Sequence, residues 1–311
     1  MTADHATHFT PELPSEREFQ LFIDAFLSRY SNNTRREYSR DIKLFRDWCA
    51  DHGGGLHPFE AKRRTIEAYV RHMVDVRGNQ PRSVNRRLIC LRQLFEFAVD
   101  DDYMIKNPCR MVRFARPKLD LSQKVHLNRE ETQRFLHAAY RSSPSEYAMC
   151  TLMAYLGLRV SEVCELDVES ILHYSKGHRV IQFIGKNGDP ATVPQPPVVM
   201  RALDEVVSGF DEKSGPLFRR RDGSRMTRRS AARVVARIAK AAAIQGIKVS
   251  PHTLRHGAIA NAIDAGIPLR DVQLMARHRD ISTTVKIYDR GRFNLDTHAS
   301  HGLAAYLGAV G

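Results

Sequence analysis

The sequence predicts a mainly α-helical protein with a small antiparallel β-sheet, divided into two domains. Three observations carry this. From Glu16 to about Val99 apolar residues recur at three- and four-residue spacing, the period of an amphipathic helix. Between Glu169 and Gln195 the pattern shortens to strands around a Lys-Asn-Gly-Asp turn. Asn107-Pro108 and the string Arg113–Lys118 separate the two regions as an extended linker, because residues before proline avoid the helix. With 311 residues the chain can bury two cores. The expected boundaries are a flexible tail over 1–15, a first domain over 16–112, a linker over 113–126 and a second domain over 127–311.

Composition narrows the function. Hydrophobic residues make up 42% of the chain, as in a globular protein. Its 48 Lys and Arg against 35 Asp and Glu give a formal charge of +13, which points to a polyanion. Nucleic acid fits better than a membrane, since no basic amphipathic stretch adjoins a lipid-anchor signal. The first residues carry no basic segment feeding an apolar core, so no secretory leader is expected. The longest apolar run, around Ala148–Leu158, is too short to span a bilayer. Cys49, Cys90, Cys109, Cys150 and Cys164 are widely spaced without a CxxC pair, which favours reduced thiols filling the core of a cytoplasmic protein. No repeat, low-complexity tract, GxGxxG or P-loop is present, so no nucleotide cofactor is expected.

In the first domain, Phe19, Phe22, Ile23, Phe26 and Leu27 mark one helix. Ser31–Thr34 then offers a turn and an N-cap before a stripe of Tyr38, Ile42, Phe45 and Trp48, which Gly53–Gly55 stops. A third helix is expected from about Arg64 to Val76. A fourth, Ser83 to Val99, turns Leu88, Leu91, Leu94 and Phe95 inward. Arg35, Arg36, Arg40, Lys43, Arg82, Arg86 and Arg87 form the exposed basic side, either a phosphate grip or a solvated face.

The second domain opens with a helix from Leu127 to Tyr140, capped by Asn128 with Glu130 and Glu131 in its first turn. Within Tyr147–Cys164 a buried-looking helix stops at Gly157, Arg159 follows, and Ser161 opens the next helix with Glu162. An arginine and a carboxylate in so apolar a stretch are costly unless they pair with each other or serve the chemistry. Val180–Ile184 and Ala191–Val193 read as a hairpin with Lys186 at its tip, where an ammonium is either solvated or delivered to a substrate by a mobile loop. Residues 219–240 hold nine Arg or Lys against one acid, Asp222. A helix there would display Arg228, Arg229, Arg233 and Arg237 on one face, beside Arg225, with Val234, Ile238 and Ala241 inward. Such a helix suits phosphates or base edges along a DNA groove. The end of the chain, Phe293–Gly311, carries Leu303, Tyr306 and Leu307 on what reads as a short amphipathic helix needing an apolar groove, its own or a neighbour's.

The stretch His252–Tyr288 concentrates the chemistry. His252 and Arg255 are three apart on a helix and can share a face. His278 follows a second apolar helical run, and Tyr288 lies ten residues on. A phenol, imidazoles and guanidinium groups together suit attack on a phosphodiester. His252 and His256, four apart, also have zinc-ligand spacing but lack a third-ligand pattern.

Taken together these segments resemble the tyrosine recombinase or phage integrase family, the group that includes the bacterial Xer proteins, over nearly the whole chain. The likeness rests on Asn-Thr-Arg-Arg-Glu-Tyr in the helical module, then Leu-Gly-Leu-Arg-Val-Ser-Glu, Lys186 on a hairpin, His-Thr-Leu-Arg-His, His278 and Ser-Thr-Thr-Val-Lys-Ile-Tyr, in the family's order and intervals. The resemblance implies a SAM-like helical-bundle core-binding domain and an α+β catalytic domain closing as a C-shaped clamp on DNA. It implies Tyr288 as nucleophile leaving a 3′-phosphotyrosyl bond, Arg159 and Arg255 on the non-bridging oxygens and His278 as a third donor. Lys186 would protonate the leaving 5′-oxygen, His252 would help take the phenolic proton, and Glu162 would order its neighbours. Neither ATP nor metal is implied. Double-stranded DNA with inverted-repeat core sites and a homotetramer on synapsed DNA, alone or with a sister recombinase, are the implied partners. The short N-terminal tail implies the simple type, without an arm-binding domain.

Two positions depart from the family pattern. Ala276-Arg277-His278 replaces Leu-Gly-His; if that glycine ends its helix with positive φ, either Arg277 carries about 1 kcal/mol or more of strain or the turn differs. Leu156 replaces a threonine before Gly157. The competing functions are a DNA-binding accessory protein, its site impaired by a misplaced His278, and a type IB topoisomerase-like enzyme that relaxes DNA without exchanging partners.

Overall fold

The structure, a computed structural model, describes residues 12–113, 126–185, 188–211 and 213–278, together with 280, 282, 304 and 308. Lys186, Tyr288, most of the expected linker and nearly all of the C-terminal segment lie outside the described residues. The chain divides into two compact units, Met1–Leu119 and Asp120–Gly311.

The first unit is built from four helices: α1 (Glu16–Ser28), α2 (Asn32–Asp51), α3 (Arg63–Arg71) and α4 (Pro81–Asp100). Ser15 caps α1 in a reciprocal box, its hydroxyl accepting from the Glu18 amide while its own amide donates to the Glu18 carboxylate. Pro81 occupies the first turn of α4, where its missing N–H costs nothing. The third helix is shorter than its apolar pattern suggests, because His72–Val76 continues it as a wider π-helical turn. The helices close on an aromatic core in which Phe45 meets Tyr69 and Phe95 edge-on at 5.0 and 5.9 Å. Phe19, Phe22, Phe26, Ile42, Trp48, Leu88, Leu91 and Leu94 are buried around it.

Arg35, Arg36, Arg40, Lys43 and Arg82 are exposed, as the sequence suggested, but Arg86 and Arg87 turn inward. Arg86 grips both carboxylate oxygens of Asp41 on α2, and Arg87 Nε lies 3.5 Å from the same group. Asp41 is 1% exposed. A buried carboxylate demands compensating charge, and this requirement withdraws two arginines from the basic face.

The second unit opens with α5 (Arg129–Tyr140), capped by the Asn128 side chain, then α6 (Pro144–Tyr155) and α7 (Val160–Glu165). Three antiparallel strands follow in the order β1 (His173–Ser175), β2 (His178–Ile184), β3 (Pro190–Pro194). The register sets Ile181 opposite Val193 and Val180 opposite His173. Strand β1 adds to the expected hairpin; it is three residues long and largely exposed, so its sequence has no apolar alternation to betray it. Among the described residues, helices α8 (Pro197–Ser208), α9 (Arg228–Ala241), α10 (Pro251–Asp264) and α11 (Leu269–Ala276) follow. The core gathers Phe135, Leu152, Met153, Leu158, Ile181, Leu203, Phe218, Ile238 and Leu254. Helix α6 is buried along Ala148–Met153, which explains its continuous apolar run.

All five cysteines are buried and reduced. Burial drives their thiol pKa values up, to about 12 for Cys49 and Cys109 and about 11 for Cys164. Among the described residues no helix is long and apolar enough to cross a membrane.

The Asp41 pair gives the first prediction. Trp48, the single tryptophan, lies in the core of the first unit and reports its unfolding. Arg87→Ala should lower stability in urea titrations by about 2 kcal/mol, because it uncovers a buried charge. Arg82→Ala should change it by less than about 0.5 kcal/mol.

Candidate active site

The site grows from the end of α6. Gly157 takes φ +58, a left-handed conformation that turns the chain sharply, and a Cβ there would come 3.7 Å from that of Ala258 on α10. Two residues on, Arg159 caps α7, and the helix begins at Val160 where Ser161 was expected. Glu162 fixes Arg159 at both ends: one carboxylate oxygen accepts from the Arg159 amide and the other from its guanidinium, each at 2.7 Å. The expected Arg–Glu pair is therefore real, yet the Arg159 side chain keeps 31% of its surface open while Glu162 keeps 2%.

Arg255 enters from α10 and is 4% exposed. One terminal nitrogen donates to the carbonyl of Gly157 and the other to that of Ala276, the last residue of α11. Arg255 thus spans two helix ends and stands beside the segment that carries Arg159. Burial first, then the neighbouring charges of Arg159 and Arg277, presses its pKa down to about 9, so it stays a cation at neutral pH.

Helix α11 ends at Arg277, which has φ 52 and ψ 46. The left-handed turn expected where the family has glycine is therefore kept, with arginine in it. The Arg277 guanidinium donates to Glu162 at 2.7 Å and to the Met275 carbonyl at 3.0 Å, and lies over the Phe183 ring of β2 at 5.3 Å. His278 follows, held through its backbone by Gln273, whose side chain donates to the His278 carbonyl at 2.9 Å. Burial and then the charges of Arg255, Arg159 and Arg277 hold the His278 imidazole down to about 4, so it is neutral at pH 7. Glu162 is likewise held in its deprotonated form, here against the effect of burial. Burial pushes it toward protonation, but Arg277 and the hydrogen bonds from Arg159 more than reverse this and keep it ionised.

The structure thus brings Arg159, Glu162, Arg255 and His278 into one electrostatic cluster and adds Arg277. Sequence spacing flagged Arg277 for its backbone alone; the signal for its side chain was a single buried carboxylate facing an excess of arginines. His252 is exposed one turn before Arg255 on α10, and its Nε2 lies 2.6 Å from that of His256. Among the described residues no three His, Cys, Asp or Glu side chains gather as a metal site. Lys186 and Tyr288 lie outside the described residues; the Gly185 amide donates to the Asp189 carbonyl at 2.8 Å.

The basic region before and along α9 divides. Arg228, Arg229 and Arg233 are exposed. Arg225 instead donates to Asp167 at 2.5 Å and to the carbonyls of Cys164 and Leu166, clipping the loop before α9 to the end of α7. Arg237 is bound to Glu146 on α6. The buried stripe of α9 runs through Ala231, Val235, Ile238 and Ala239, where Val234 and Ala241 were expected. Both stripes satisfy helical spacing, and packing against α7 and α5 selects the former.

A model of the phage integrase family matches residues 126–294, and one of the phage integrase N-terminal SAM-like domain matches 20–102. The chain is 29% identical to a tyrosine recombinase XerD of Listeria innocua over 268 residues, covering 82% of this chain and 86% of that one. To a tyrosine recombinase XerD of Caulobacter vibrioides it is 29% identical over 283 residues, covering 85% and 90%. Its fold is similar to that of the Tn1549 transposon integrase in complex with transposon right end DNA, with a TM-score of 0.73 at 20% identity over 93% of this chain and 99% of that one. A lambda integrase dimer bound to a COC′ core site gives 0.73 at 17% identity over 92% and 99%. With the catalytic family model spanning more than half of its length, the chain belongs to the phage integrase family, that of the tyrosine recombinases.

Proposed function

We propose that the protein cuts and rejoins DNA at a specific site by way of a covalent bond between Tyr288 and a DNA 3′-phosphate. The observation that carries this reading is the meeting of Arg159, Arg255 and His278 beside one buried carboxylate, Glu162. Three guanidinium groups, counting Arg277, against one carboxylate leave a local charge of +2, suited to a phosphodiester whose oxygens gain charge in the transition state.

The atoms then balance as follows. The Tyr288 oxygen bonds to phosphorus, the bond to the 5′-oxygen breaks, His252 takes the phenolic proton and Lys186 supplies one to the leaving oxygen. A phenol with a pKa of about 10 needs such help at neutral pH. Arg159 and Arg255 hold the non-bridging oxygens and His278 donates a third hydrogen bond. The phosphotyrosine conserves the phosphoryl bond energy, so a second 5′-hydroxyl can reverse the step onto a new partner.

DNA contact is assigned to Arg35, Arg36, Arg40, Lys43 and Arg82 on the module of residues 16–112. In the catalytic domain, residues 127–311, it is assigned to Arg228, Arg229 and Arg233. Relatives named recombinases, and neighbours whose structures hold core-site or transposon-end DNA, support double-stranded DNA as substrate. Inverted-repeat sites and a synapsed homotetramer working in the cytoplasm complete the proposal. The left-handed turn kept at Arg277 and the Gln273 hydrogen bond to the His278 carbonyl favour an active enzyme over an accessory protein with a misplaced His278.

A duplex carrying its recognition site and a nick just 3′ of the scissile phosphate traps the intermediate. The unaltered protein should form a covalent adduct that survives denaturing electrophoresis, and Tyr288→Phe should form none. An adduct that persists in the variant would place the nucleophile elsewhere. Exchange that requires two sites in one reaction separates recombination from simple relaxation.

The depressed His278 pKa gives a second outcome. A histidine whose folded pKa lies near 4, below the ordinary 6.5, favours the neutral folded state, so this stabilisation is present above pH 6.5 and lost as pH falls toward 4. A bound phosphate adds negative charge and should draw the pKa back up. Imidazole titration by NMR in the Tyr288→Phe protein should therefore show a higher His278 midpoint with site DNA than without it.

A further inference from the structure

Arg277 occupies a position where a side chain is a disadvantage. With φ 52 and ψ 46 it sits in the left-handed region, where a Cβ costs roughly 1 kcal/mol or more and glycine costs nothing. Strain of this kind persists when the surrounding contacts over-determine it. Here the contacts are specific. The side chain is 18% exposed, its guanidinium covers Phe183, and both terminal nitrogens are engaged, one by Glu162 and one by the Met275 carbonyl. Both terminal nitrogens are anchored on protein acceptors, which holds the guanidinium against Glu162, and the residue acts through its neighbours.

The neighbour that matters is Glu162. Its Oε1 accepts from the Arg159 guanidinium, while its Oε2 accepts from the Arg159 amide and from Arg277, each at 2.7 Å. Without Arg277, one buried carboxylate would face Arg159 as its sole paired guanidinium, and the two charges would cancel one for one. With it, the carboxylate is divided between two cations. Arg277 is also the largest single influence opposing the tendency of burial to protonate Glu162. A protonated Glu162 would lose its charge and one of the two acceptor oxygens that hold Arg159.

We propose that Arg277 is a positioning residue of the phosphate site: by sharing Glu162 it fixes that carboxylate and leaves the Arg159 guanidinium both oriented and under-neutralised for a phosphate oxygen. The contact with phosphate is the one assigned under the proposed function, and the inference rests on that reading for its consequence in DNA cleavage. The same residue sets the left-handed turn that delivers His278, so one side chain serves two of the groups around the phosphate.

Arg277→Gly removes the guanidinium while keeping a residue at ease with positive φ; Arg277→Lys keeps the charge without the planar fork. Single-turnover cleavage of the nicked duplex at saturating protein should slow about tenfold in Arg277→Gly and recover in large part in Arg277→Lys. The acid limb of the pH–rate profile should move to higher pH in Arg277→Gly, because Glu162 then protonates more readily, a shift that a purely structural role would not produce. Binding of inorganic phosphate, followed through the Arg159 side-chain N–H resonance, should weaken about tenfold in Arg277→Gly irrespective of any cleavage. Unchanged phosphate binding, or unchanged cleavage with an unmoved acid limb, would overturn the proposal. If the unaltered protein forms no Tyr288 adduct but its phosphate binding still depends on Arg277, the recombinase reading falls and the positioning role stands.

Discussion

A guanidinium lodged between the ends of two helices governs this site. Carbonyl groups at a helix C-terminus have no partner within the helix and carry partial negative charge. Arg255 satisfies one such carbonyl just beyond α6, at Gly157, and another at the end of α11, at Ala276. Each bond fixes a turn from which a neighbouring functional residue departs: Arg159 two positions after Gly157, His278 two positions after Ala276. The buried charge is thus compensated by backbone dipoles, and its position defines where the other groups can stand.

Around this post the electrostatics are asymmetric. Glu162 is ionised because cations surround it, and His278 is neutral because it is buried and because the same cations surround it. One positive field therefore favours the deprotonated form of both groups, leaving the carboxylate charged and the imidazole neutral, a consequence of packing three arginines near a single acid in a setting of low dielectric.

Much of this was legible in the sequence, and the illegible part has a common cause. Capping residues such as Asn128, the stop at Gly157 and the spacing of His252 and Arg255 are local signals, and the local structure follows them. The motifs of the resemblance carried the site because they name residues whose meeting depends on the whole fold. What local pattern cannot supply is the partner of a charged side chain. Arg86, Arg87, Arg225 and Arg237 read as parts of basic faces, yet Asp41, Asp167 and Glu146, each more than 40 residues away in the chain, claim them. Arg277 belongs to the same class, its acid lying 115 positions earlier. Strand β1 was missed for a different reason: an exposed three-residue strand is defined by its neighbour and by no periodicity of its own.

The buried thiols have a practical corollary. Cys49, Cys90 and Cys109 belong to the first unit and Cys150 and Cys164 to the second, each shielded from solvent and protonated at neutral pH. An alkylating reagent reaches them when the surrounding helices part. Mass-resolved labelling of the unmodified chain would therefore time the opening of each half separately, with no engineered probe and no disturbance of the charges gathered around Glu162.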